Sequence, residues 1–213
     1  MNIRYLNYLK TIAFALVFLT LPFALMEQFL FQKASLTTDK VLYGVLGIIL
    51  GLIESFLALA VLGYGVKKLQ QMGAEEVSIG KHFKKYLRDI IIESLRAMGR
   101  IAVGFLLIIP GIVRLVRYYM IPYIVQFDSS YEIGKIDALE EANSLVKGHF
   151  FKLFGLLFLT QIASLVLQII SIKFNLFTSP LPWILFYMAE VLLQITVFWV
   201  FYKFYIYLKS SRA

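Results

Sequence analysis

The sequence predicts an all-α, polytopic membrane protein, one integral domain over residues 1–213 with about six transmembrane helices. Three observations carry this expectation. Hydrophobic side chains make up 60% of the chain and its mean hydropathy is +0.79, against roughly 45–50% apolar residues in ordinary soluble domains. The excess lies in long runs, and about 20 residues at about 1.5 Å each match a hydrocarbon core of roughly 30 Å. The runs also lack the alternation of barrel strands, and only helices or closed barrels satisfy their backbone hydrogen bonds in lipid.

The apolar runs fall at 11–31, 41–64, 89–109, 112–127, 149–172 and 181–206, each long enough to cross except the short fourth. The first follows Arg4 and Lys10 as a signal peptide would, but its length and lack of a small-x-small cleavage site predict that it stays in the mature chain. The second carries a small face, Gly44, Gly47, Gly51, Ser55 and Ala58, suited to tight packing within or between chains. Ahead of the third, Phe83, Leu87, Ile90, Ile91 and Ser94 recur at helical spacing while Lys81, Lys84, Lys85 and Arg88 fall elsewhere. This predicts a basic amphipathic helix that either lies on anionic headgroups or only fixes topology.

Pro110 and Gly111 join the third and fourth runs with no polar loop, so 89–127 is either two full spans or a re-entrant hairpin broken at those two residues. Pro22, Pro122, Pro180 and Pro182 read likewise as kinks or helix starts. From Lys135 to Lys147 the acids Asp137, Glu140 and Glu141 come early and Gly148 follows, which predicts a short capped connector helix. On the last two runs Gln161, Gln168 and Gln194 are placed to hydrogen-bond between helices, and Trp183 and Trp199 to anchor at the interface.

The net charge of +8 comes largely from lysines and arginines that flank the runs, a topogenic pattern that argues against nucleic acid as a partner. With the amino terminus inside, the inner segments hold Arg4, Lys10, Lys67, Lys68, Lys81, Lys84, Lys85, Arg88, Lys135, Lys147, Lys152, Lys203, Lys209 and Arg212. The outer segments hold Lys33, Lys40 and Lys173, so both termini are expected in the cytoplasm. Catalytic signals are missing. The chain has no cysteine, His82 and His149 lie apart with no HExxH spacing, and there is no GxSxG elbow, phosphate loop or Rossmann fingerprint. No catalytic residue, metal site or cofactor is expected.

Four arginines stand out. Arg96, Arg100, Arg114 and Arg117 lie inside or at the edges of apolar runs, where an arginine at mid-membrane costs about 2.5–3.5 kcal/mol on insertion scales and needs acids, water or an anion. Counting from the outer ends of the runs, Glu54 and Arg96 each lie 13 residues deep, and Glu190 and Arg100 each lie nine. Depth therefore predicts the pairs Glu54 with Arg96 and Glu190 with Arg100, and brings Glu27 near Arg114 or Arg117. Glu93, Arg96 and Arg100 share one helical stripe, Arg114 and Arg117 another. Glu27, Glu54 and Glu190 leave one of the four arginines unmatched before Glu93 is added as an interfacial acid. The arginines therefore make an anion or lipid-headgroup site, or else the outer ones snorkel and the inner ones form structural salt bridges.

From Leu106 through Pro110, Gly111, Arg117 and Pro122 to Ala138, Leu139, Leu145, Lys147 and Gly148 the chain resembles the bacterial YciC-like proteins and the membrane domains attached to some glycerophosphoryl diester phosphodiesterases. About 45 residues are covered closely. Where those proteins tend to have serine and tryptophan this chain has Ala142 and Asn143, and their usually basic positions are Glu140 and Glu141. The resemblance implies a six-span protein of the bacterial inner membrane, with no reaction to carry over, and hints at lipid or envelope work. The expectation is thus a non-enzymatic protein that handles or transports an anionic, lipid-like solute. Its partners would be membrane phospholipids and a further copy or membrane protein. The alternative is an anchoring or regulatory subunit that docks a partner enzyme or complex.

Overall fold

The structure is a computed structural model that describes residues 3–36, 40–70, 78–174 and 180–212. Side chains are described there except at 3–11, 27, 28, 31, 32, 34–36, 70, 180 and 181. Every regular element among the described residues is a helix: α1 (Ile3–Leu36), α2 (Lys40–Gln70), α3 (Ile79–Phe105), α4 (Ile109–Tyr118), α5 (Ile121–Phe127), α6 (Ser129–Glu132), α7 (Ala138–Val146), α8 (Phe150–Lys173) and α9 (Pro180–Ser210). Three stretches are long and apolar enough to cross a membrane, Lys40–Leu69, Phe150–Lys173 and Pro182–Ser210, and Ile12–Met26 is a shorter apolar stretch within α1.

The apolar runs at 89–109 and 112–127 take a different form from these. Asp89, Glu93, Arg96 and Arg100 make α3 amphipathic rather than uniformly apolar. The fourth run divides into two short helices because Pro122 lacks an amide hydrogen and its ring opposes the carbonyl one turn earlier, so the chain restarts as α5. The apolarity of α5 serves burial against protein: Ile121, Tyr123, Ile124, Val125 and Gln126 are all enclosed. A continuous apolar run and a core helix look alike in sequence.

The chain falls into two compact units, residues 1–88 and 89–213. In the first, α1 and α2 pack against each other. The start of α3 closes on the end of α2 through aromatic contacts: His82 is buried 5.6 Å from the Tyr64 ring and 4.6 Å from the Tyr86 ring. Lys67 donates to the Tyr86 hydroxyl. Several apolar side chains in the first half of α2, such as Val41, Leu42 and Ile48, are exposed, as suits contact with lipid.

In the second unit the core is built on α5, α7 and the last turns of α9. Phe198, Phe201, Tyr202, Tyr205 and Leu208 recur on one stripe of α9 and are buried. The stripe meets α5 and the turn before it ring to ring, with centroids 4.6 Å apart for Tyr119 and Phe201, 4.9 Å for Tyr123 and Phe198, and 4.8 Å for Phe127 and Tyr202. Such aromatic pairs add about 0.5–1.5 kcal/mol each beyond their area burial. On α7, Ala138, Leu139, Ala142, Leu145 and Val146 face the same core. The predicted cap is present: Asp137 accepts from the Leu139 and Glu140 amides, and Gly148 adopts φ +85° just past the helix end.

Between α3 and α4 the chain turns through Leu106, Leu107 and Ile108, and Pro110 stands in the first turn of α4, where its missing amide costs nothing. The backbones touch at two glycines. A Cβ on Gly111 would lie 2.8 Å from the Phe105 Cα, and one on Gly104 would lie 3.0 Å from the Gly111 Cα. We therefore expect Gly111→Ala to lower stability by about 1–3 kcal/mol through forced separation of α3 and α4. Gly99→Ala, where a Cβ meets nothing within 4 Å, should stabilise α3 by no more than about 1 kcal/mol. Thermal unfolding of the two variants in detergent checks the contrast, and equal effects would contradict the close approach.

Candidate functional site

The four arginines divide into one that is matched by acids and three that are not. Arg96 Nη1 lies 2.8 and 2.7 Å from the two carboxylate oxygens of Glu93, one turn earlier on α3, and Nη2 lies 2.7 Å from Asp137 Oδ2. Glu93 is only 7% exposed, and the Tyr131 hydroxyl donates to its Oε1 at 3.4 Å. A guanidinium offers donors in a fixed planar fork, so one side chain can bridge two carboxylates. Arg96 thereby ties α3 to the capped start of α7.

Arg100 is exposed and, among the described residues, has no carboxylate partner. Arg114 donates from Nη1 to the Arg100 carbonyl at 2.7 Å, which sets the two residues at one level of the α3–α4 hairpin. Arg117, one turn further along α4, donates from Nη1 to Asn143 Oδ1 at a long 3.5 Å, and its buried Nε has no hydrogen-bond partner among the described residues. Asn143 is turned by a second long bond, from its Nδ2 to the Tyr118 hydroxyl at 3.5 Å. Arg100, Arg114 and Arg117 thus stand on one helix hairpin with no carboxylate partner among the described residues.

Depth counting matched Arg96 to Glu54 and Arg100 to Glu190. The acids brought to Arg96 are instead Glu93 and Asp137, and Arg100 has none among the described residues. The count treats 89–109 as one straight span, whereas α3 ends at Phe105 in a turn. Glu54 belongs to α2 in the other unit, Glu190 is half-buried on α9, and the Glu27 side chain lies outside the described residues.

Two further clamps, not singled out from sequence, hold the end of α9. Buried Asp128 accepts from Lys209 Nζ at 2.8 Å, from the Tyr205 hydroxyl at 3.2 Å and from the Ser130 amide at 2.9 Å. Arg212 reaches Glu141 Oε1 at 2.9 Å and Ser144 Oγ at 2.8 Å. Asn143 and Glu141 therefore carry contacts to Arg117 and Arg212. The spacing of Asp137 and Glu140, that of a capping box, was the available signal for the α7 cap. Nothing in sequence marked the partners that lie far along the chain. Among the described residues no cluster of three or more histidine, aspartate or glutamate side chains is placed to hold a metal ion.

Burial pushes the Asp128 carboxyl up, but Lys209, the Ser130 amide and Tyr205 together outweigh it and hold the group below its ordinary value. Burial likewise opposes Asp137, and Arg96 with the Glu140 and Leu139 amides brings it below the ordinary value. Burial raises the Tyr131 hydroxyl to about 12, so it stays a donor to Glu93.

Comparison with protein-family models, with curated proteins and with solved structures gives no match. Among the described residues, fold and site define a helical protein with three helices apolar and long enough to cross a membrane and three arginines without a carboxylate partner on the α3–α4 hairpin.

A carboxylate held low in the folded state contributes stability above its unfolded pKa, about 4, and loses that contribution as pH falls through the folded value. Thermal stability in detergent should therefore hold from neutral pH to about 4 and fall below it. Asp137→Asn and Asp128→Asn should each lower the neutral-pH melting temperature and flatten the acid fall. An acid fall of unchanged depth in both variants would show that other groups govern it.

Proposed function

We propose that this is a non-enzymatic protein of a bacterial inner membrane that handles or transports an anionic, lipid-like solute, with Arg100, Arg114 and Arg117 contacting its phosphate or carboxylate. The observation that carries the reading is the buried Nε of Arg117, which has no hydrogen-bond partner among the described residues, on the same hairpin as two further guanidiniums with no acid among those residues. A buried donor left unmet costs about 1–3 kcal/mol, and more when charged, so a phosphate oxygen there would relieve a standing penalty. Arg96 acts differently. With Glu93 and Asp137 on its guanidinium it is a structural clamp that fixes α3 on α7.

The distribution of lysine and arginine supports cytoplasmic termini, and α2, α8 and α9 are apolar and long enough to cross; α1, with its shorter apolar stretch Ile12–Met26, would supply the fourth crossing that an even count requires, with α3 to α7 at the cytoplasmic side. The six crossings implied by the resemblance would need α3 and α4 to span as well. Their lengths and polar content favour four. The resemblance supplies the bacterial inner membrane and the link to lipid. The alternative, a docking subunit, would use the basic helix at the start of α3 and the acidic connector. Asp137 and Glu141 are already taken up by Arg96 and Arg212, which favours the lipid reading.

Native mass spectrometry of the protein released from its own membranes tests this. Anionic phospholipid should accompany the wild type, and Arg114→Ala or Arg117→Ala should each reduce the bound fraction roughly tenfold, as expected for a lost charge-assisted hydrogen bond of about 1.5–3 kcal/mol. Arg96→Ala should instead lower the melting temperature. Equal lipid occupancy in the wild type and both patch variants, or a stable protein partner in place of lipid, would overturn the proposal.

A further inference from the structure

The hairpin of α3 and α4 ends in a run of apolar side chains that the protein itself leaves uncovered. Leu106 is 82% exposed, Leu107 74%, Ile108 65% and Ile109 73%. Val103 and Phe105 flank them and are exposed too. Contiguous apolar surface of this kind marks contact with a membrane or a partner. Ile108 adds a second sign, because its φ of 54° places a β-branched residue where such residues almost never sit. A backbone held in that region persists only where the surrounding structure imposes it, and the close approach at Gly104 and Gly111 does so here.

The geometry points to insertion of this tip into the cytoplasmic leaflet of a bilayer that contains anionic phospholipid, to the depth of one leaflet and no further. Seven residues separate Arg100 from Leu107, and seven separate Leu107 from Arg114. Because Arg114 bonds the Arg100 carbonyl, the two arginines stand at one level, at the base of a symmetric pin. Seven residues at about 1.5 Å each place the tip about 10 Å beyond that base. A leaflet contributes about half of the roughly 30 Å core, so with both guanidiniums at the phosphates the tip ends within the near leaflet.

Two further features select lipid as the occupant. The guanidiniums at the base are complementary to anionic headgroups, each basic group near such a surface being worth about 1 kcal/mol. The hairpin also packs on a helix suited to lipid, since α4 contacts α8, which is long enough to cross and leaves Phe151, Phe158 and Leu159 exposed. The inference rests on reading the chain as a membrane protein, and it adds a single-leaflet anchor to that reading.

The absence of cysteine makes the test direct. Single variants Leu107→Cys, Ile109→Cys and Met98→Cys of the full chain carry a nitroxide label and are reconstituted in phosphatidylglycerol and phosphatidylcholine vesicles. All three side chains are exposed, so labelling leaves the core intact, and unchanged thermal melts confirm it. Labels at 107 and 109 should collide with oxygen and be shielded from a water-soluble nickel chelate, while the label at 98 should show the reverse. Nickel access at 107 and 109 would overturn the inference, because the tip would then lie in water on one side or the other. Shielding of both positions from oxygen and nickel together would overturn it as well, by showing a protein partner or second copy over the tip. Phospholipid retention by the unlabelled protein is read separately, so loss of the anchor and loss of the lipid site are distinguishable.

Discussion

A guanidinium cannot remain in an apolar region without a negative partner, and this constraint organises the second unit. Arg96 meets it within the protein, through Glu93 on its own helix and Asp137 at the start of α7. The result is a fixed joint: α3 is held to α7, and α7 in turn contacts α4, α5 and α9 through its apolar face. Lys209 on Asp128 and Arg212 on Glu141 repeat the device at the end of α9. Each of these cations is partly exposed, so screening keeps its individual contribution small, and the value of the set lies in fixing geometry.

Against that rigid frame the remaining arginines are conspicuous. Arg100, Arg114 and Arg117 stand on the hairpin that the frame holds in place, and no acid among the described residues reaches them. A positioned but unmatched cation patch is what recognition of a phosphate or carboxylate requires, since binding is strongest where the donors need not be reorganised. The tip beyond the patch carries apolar side chains outward from the same turn. The guanidiniums at the base and the apolar side chains at the tip therefore belong to one structural unit, a helix pair whose backbones touch at Gly104 and Gly111.

Much of the architecture was legible in the sequence because it follows from composition and period. Runs of apolar residues marked α2, α8 and α9, and Asp137, the following acids and Gly148 marked α7 with its cap. The four arginines were legible as anomalies. Their partners were not, because Arg96 reaches Asp137 41 residues away and Tyr205 reaches Asp128 77 residues away, separations that no local pattern encodes. Hydropathy also gave α5 the look of a span, since a helix enclosed by aromatic side chains and one enclosed by lipid have the same composition. The amphipathic start of α3 shows a related shift. Lys81, Lys84, Lys85 and Arg88 are exposed as expected, yet the buried stripe runs through His82, Tyr86, Ile90, Glu93 and Ala97. Polar side chains with partners occupy positions that a purely apolar count would not choose.

The central claim is that guanidiniums on the α3–α4 hairpin touch lipid phosphate. Phosphorus-to-nitrogen dipolar recoupling by solid-state NMR, on arginine-labelled protein in bilayers containing phosphatidylglycerol, reads that contact directly. The account predicts dephasing of a subset of guanidinium nitrogens by phosphorus, lost when Arg100, Arg114 and Arg117 are replaced together by glutamine and kept when Arg96 alone is replaced. Guanidinium signals untouched by phosphorus in the wild type, or dephasing that survives the triple replacement, would contradict it.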